Sequence, residues 1–108
     1  MPRIETVEIK SAYTVPKYHA MIFCTESETE TIAAAASTAS AIARALQGVS
    51  ETHLMMIRAM SSVVRWKARR CLKRGKCLLI TVTAGLPLLS EYHPSEIDQI
   101  ISAARWTP

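Results

Sequence analysis

The chain opens on an alternation. Over residues 4–15, Val7, Ile9, Ser11, Tyr13 and Val15 share one parity while Glu8, Lys10 and Thr14 take the other, the period of a half-buried strand, which Pro16 ends. A second run, Tyr18 to Thr25, carries Met21, Ile22, Phe23 and Cys24 in succession and reads as a more deeply buried strand. The period then changes. After the acidic stretch ESETET, where Ser27 and Glu30 have the spacing of a capping box, residues Thr31 to Gln47 place Ile32, Ala35, Ala36, Ala39, Ile42, Ala43 and Leu46 on one helical stripe, closed by Gly48. Its small residues allow a close approach to whatever it packs against.

Residues 51–58, ETHLMMIR, allow two readings. Leucine and methionine favour a helix that runs on from Ser50 as N-cap, whereas the unbroken run Leu54, Met55, Met56, Ile57 also fits a strand. Beyond it, Ile57, Met60, Val64, Ala68, Cys71 and Leu72 form the apolar stripe of a helix that begins near Met60 and ends at Gly75. CLLITVT, Cys77 to Thr83, is β-branched and continuous, as a central strand should be, and Gly85 and Pro87 break it. Residues 86–94 read as a loop. Ser95 is then a good N-cap for a short helix carrying Ile97, Ile100, Ile101 and Ala104, although Ile97, Gln99 and Ile101 also permit a strand. The fold class expected is α+β. It takes the form of a small two-layer sandwich in the order β-β-α-β-α-β plus a C-terminal strand or short helix. One domain spans 1–108, with 1–17 an N-terminal strand extension to a core over 18–108.

Charge changes this picture most. The net charge of +4 hides an asymmetry, because residues 1–50 hold four basic and five acidic groups while residues 51–108 hold nine and four. Eight of the thirteen basic residues lie in the nineteen positions from Arg58 to Lys76, without one acid. On a helix, Arg65, Arg69, Lys73 and Lys76 run opposite the apolar stripe, with Arg70 and Arg74 beside them, and Trp66 falls among them. Arg69 and Lys73 point away from the core on this wheel, so reversing both to glutamate should leave the fold intact. A solvated face usually mixes signs to form i, i+4 pairs. A single-signed face with an aromatic in it suits phosphates, with the ring free to stack on a base or sugar. The nucleic-acid-binding set expected is therefore Arg58, Arg65, Trp66, Lys67, Arg69, Arg70, Lys73, Arg74 and Lys76. Trp66 is expected to be partly buried at a contact between two subunits.

Other chemistry is thinly represented. Cys24, Cys71 and Cys77 are odd in number and irregular in spacing, which gives no disulfide framework and points to a reducing, cytoplasmic setting. Cys71 and Cys77 with His53 and His93 match no common zinc spacing, so no metal is expected. Three scattered glycines make no phosphate-binding loop. Ser90 or Cys77 near His93 lacks a nucleophile signature. No catalytic residue, cofactor or small-molecule substrate is expected. MPRIETVEIK is too polar for a signal or anchor, and no apolar run approaches a membrane span.

With 51–58 as a strand, the order from Tyr18 onward resembles the Alba superfamily, including its bacterial relatives of the stage V sporulation protein S type. LQGVSETHLMMIRAMSSVV is similar to the family's passage from first helix through a glycine turn into a strand and second helix. CLLITVTAG is similar to its third strand, and EIDQIISAAR to its closing strand. CTESETE stands where archaeal members place paired lysines, and Met60 and Ser61 where a glycine would be. The resemblance implies a homodimeric domain that binds DNA or RNA, carried here by the basic helix alone. Two rival readings are an adaptor whose basic helix docks on an acidic protein, and an all-helical dimer. In the second, 50–74 is one long helix gripping double-stranded RNA, as in small viral silencing suppressors.

Overall fold

The two apolar runs at the start of the chain pair with each other. The computed structural model describes residues 1–9, 17–35, 38–83 and 87–105. In it β1 (Arg3–Ile9) lies antiparallel to β2 (Lys17–Phe23), with Arg3 opposite Phe23. The rest of the alternation read over 4–15 lies outside the described residues. β3 (Cys77–Val82) takes the other edge of β2, with Ile22 opposite Ile80, and β4 (Leu88–Tyr92) follows it, with Leu78 opposite Glu91. The sheet order is β1-β2-β3-β4, antiparallel throughout.

Between β2 and β3 the described residues form α1 (Glu26–Ala34), α2 (Thr38–Ala45), α3 (Glu51–Arg58) and α4 (Ser61–Lys73). Their apolar stripes, including Ile32, Ile42, Ile57, Val64 and Ala68, bury one face of the sheet at Ile22, Leu78, Ile80 and Val82. A 3-10 turn, Pro94–Glu96, leads into α5 (Ile97–Ala104). This helix lays Ile97, Ile100, Ile101 and Ala104 on the opposite face, over Val7, Met21, Phe23, Leu79 and Tyr92. The protein is α+β, as the patterning implies, with α5 as a partial cover on the second face.

The order differs from expectation in three places, and the choice left open at the C-terminal segment falls to the helix. Residues 51–58, carried as a strand in the expected order, are the helix α3, so the strand on which the Alba-like order depended is helical here. Local propensity prevails, and Ser50 accepts a hydrogen bond from His53 N at 3.3 Å as the N-cap. The single helix expected over 31–47 is two. α1 starts earlier, capped by Thr25 and Glu28 in place of Ser27 and Glu30, and Ala35 turns extended after it. A run of alanine, serine and threonine holds too few large apolar anchors to carry one helix across that point. Residues 88–92, read as loop, form β4, because they pair with β3, with Leu89 packing on the helix side of the sheet and Tyr92 on the α5 side. The terminal element is a helix, and His93, not Ser95, caps the turn that precedes it. Four strands also overturn the all-helical alternative, since the β-branched run of β3 is paired on both edges.

Two details tie α1 to the sheet and end α4. Thr29 is fully buried, and its hydroxyl donates to Thr25 O at 2.8 Å while accepting from Leu78 N at 3.2 Å. The hydroxyl thereby supplies a partner to the N–H just past the last paired residues of β2 and β3, a group that is costly to bury alone. α4 ends in a Schellman turn: Gly75 N donates to Leu72 O, Lys76 N donates to Cys71 O, and Gly75 takes φ +68°. The expected glycine stop is in place.

Candidate nucleic-acid interface

α4 is held by an apolar edge that is narrow for its length. Val64, Ala68 and Cys71, spaced i, i+4, i+7, are fully buried, so the opposite side of the helix must face water. That side carries Trp66, 58% exposed, and Val63, 49% exposed, together with the exposed Arg69, Arg70 and Lys73. The Arg70 guanidinium lies 5.6 Å from the Trp66 ring centroid, a cation–π contact worth about 0.5–1 kcal/mol at an exposed site. Trp66, Arg69, Arg70, Leu72 and Lys73 line an open cleft of about 430 Å³. Arg70 and Lys73 also sit in the last turn of α4, where the helix dipole favours cations.

The nine residues read from the sequence are not one site. Trp66, Arg69, Arg70 and Lys73 share the cleft. Lys67 and Arg65 lie half-buried on its flanks, and Arg65 Nε is buried with no hydrogen-bond partner among the described residues. Arg58 is apart: it ends α3 and borders a separate shallow groove with Ala39, Met55 and Ala59. Arg74 and Lys76 are drawn toward the sheet, where Glu91 meets Arg74 Nε at 2.8 Å and Lys76 Nζ at 4.0 Å. The β3–β4 register causes this, since it sets Glu91 opposite Leu78, two residues past Lys76.

Arg69 also departs from the helical wheel. Its residue is exposed, yet its Nε donates to Ala33 O at 3.0 Å, tying α4 to the end of α1. Reversing Arg69 would therefore remove a bond between helices, contrary to the expectation that its side chain faces only outward. Arg58, Arg65, Lys67, Arg69, Arg70 and Lys73 make no ion pair among the described residues. Sequence reasoning missed Leu72 as a border of the cleft, because its place on the apolar stripe gave no sign of it. Val63, an apolar residue off the buried stripe, is exposed on the same side of α4 but outside the cleft's lining.

Other groupings carry less chemistry. Cys77 and His93 border a hollow of about 200 Å³ with Glu26 and Lys76. Burial, then the Glu26 charge, pushes the Cys77 thiol up, away from the thiolate that a nucleophile needs. Nδ1 of His93 is engaged by Ser95 Oγ at 2.7 Å, and Ser90 is exposed on β4 opposite Leu79. Cys71 is fully buried, and its thiol is raised to about 11, first by burial and then by Glu91. Among the described residues no three His, Cys, Asp or Glu side chains gather as a metal site, and no helix is long and apolar enough to cross a membrane. A hollow of about 570 Å³ between the sheet and α5 is mostly apolar, lined by Met21, Leu79, Leu88, Leu89 and Ile100 among others. His19 and Thr83 meet through Nδ1 and Oγ1 at its border. No protein-family model, no curated protein and no solved structure matches this chain.

Proposed function

We propose that this protein binds nucleic acid, DNA or RNA, through the outward side of α4, holding phosphates with little regard to sequence. The observation that carries the reading is the cleft in which Arg70 and Lys73, without an ion pair among the described residues, flank an indole that more than half faces water. Surface arginines and lysines are ordinary, and exposure alone argues nothing. Their single sign is informative, because Glu91 engages Arg74 and Lys76, just past the end of the helix, while the cations of the cleft make no ion pair among the described residues. Such a field concentrates polyanions and speeds their encounter.

Arg65, Lys67, Arg69, Arg70 and Lys73 make α4 able to neutralise about four phosphates. The logarithm of affinity should then fall with the logarithm of salt at a slope of about −3 for single strands and about −3.5 for duplex. Fluorescence anisotropy of a labelled oligonucleotide across a sodium chloride series reads this slope. A flat response, or no binding at low salt, would reject the reading in favour of an acidic protein partner.

A further inference from the structure

The cations and the indole of the cleft ask for different parts of a nucleotide. Phosphates satisfy Arg70 and Lys73 whether the strand is paired or not. Trp66 is more selective. A closed duplex hides its base faces in the stack and offers only edges in its grooves, which hydrogen-bonding side chains read. An indole gains little there, because its apolar face would lie against charged backbone. An unpaired base offers a π-face, and stacking on an aromatic is tolerant of sequence.

The surroundings of Trp66 fit that use. Arg70, one turn further along, lies over the ring at 5.6 Å from its centroid, so a phosphate next to a base stacked on the indole meets its guanidinium. Val63, one turn earlier and 49% exposed, extends the apolar surface on the same side. Lys73 is seven residues beyond Trp66, about 10 Å along the axis, a span of about three nucleotides at a stacked rise of about 3.4 Å. We infer that the α4 cleft takes unpaired nucleotides, with one base stacked on Trp66 and neighbouring phosphates held by Arg70 and Lys73. This rests on the nucleic-acid reading above and narrows its substrate to single-stranded or looped segments.

Three ligands of equal length separate the possibilities: a fifteen-residue oligothymidylate, the corresponding duplex, and an abasic strand that keeps the phosphates without bases. The wild-type protein should bind oligothymidylate about 5- to 150-fold more tightly than the abasic strand. Trp66→Ala should bring the two together by weakening only the first, and Trp66→Tyr should restore much of the difference. Circular dichroism of each variant checks the fold, and the wild-type comparison needs no variant. Equal affinity for oligothymidylate and the abasic strand would overturn the stacking inference while leaving phosphate binding in place. Duplex bound as tightly as the single strand would overturn it too. Binding to none of the three would remove the parent reading as well.

Discussion

Replacing Arg70 and Lys73 together with glutamate should lower affinity for an oligonucleotide by at least about 100-fold. Each side chain is exposed and in the cleft, and neither makes an ion pair among the described residues. A hydrogen bond to a charged group contributes about 1.5–3 kcal/mol, so losing two corresponds to a factor of about 100 or more, before counting repulsion from the new carboxylates. The fold should change little, because neither residue belongs to the buried set of Val64, Ala68 and Cys71. Two acids in the last turn oppose the helix dipole, a cost of about 0.3–1 kcal/mol each. Anisotropy and urea unfolding together check the result. Retained affinity would show that phosphates are held elsewhere, and loss of cooperative unfolding would show that this side of α4 is structural. Arg69 is left out of the pair because its bond to Ala33 O would confuse the two effects.

Phe23→Ala should cost about 3–5 kcal/mol of stability. Phe23 is 1% exposed on the sheet face that α5 covers, and its ring meets Tyr92 edge-on at 5.2 Å between centroids. The Tyr92 hydroxyl in turn donates to Cys24 O at 2.5 Å, linking the end of β2 to the end of β4. Edge-to-face aromatic pairs add about 0.5–1.5 kcal/mol beyond their buried area. Against a total of about 5–15 kcal/mol for a domain, the change is severe. Urea denaturation followed by circular dichroism measures it. A cost below about 1 kcal/mol would mean that α5 and this sheet face do not form a true second core.

The parts of the fold that were legible in the sequence are those where periodicity is long and anchored. Val64, Ala68 and Cys71 gave α4 its buried edge and so its outward side. The β-branched run from Cys77 identified β3, and Gly75 marked the helix end. What failed was local and weakly marked. Nothing at Ala34 or Ala35 stops a helix by itself, so two helices read as one. Leu88 to Tyr92 is only five residues, with two adjacent leucines and no alternation of apolar and polar positions, and its strand character comes from pairing with β3. The surroundings of the candidate side chains were legible only in part for the same reason. Helical geometry placed Trp66, Arg70 and Lys73 correctly on the outward side, but Arg74 and Lys76 were assigned without Glu91, whose approach depends on a strand register that no helical wheel contains. Arg69 turning back to α1 is likewise a tertiary fact.

The most direct measurement is a nitrogen-15 NMR titration of the wild-type protein with oligothymidylate, reading each assigned amide and the Trp66 indole N–H. The account predicts that the largest shifts fall on Val63, Trp66, Arg70 and Lys73, and that they diminish as salt is added. Shifts centred instead on the hollow beneath α5, at His19, Leu88 and Ile100, with α4 unmoved, would contradict it.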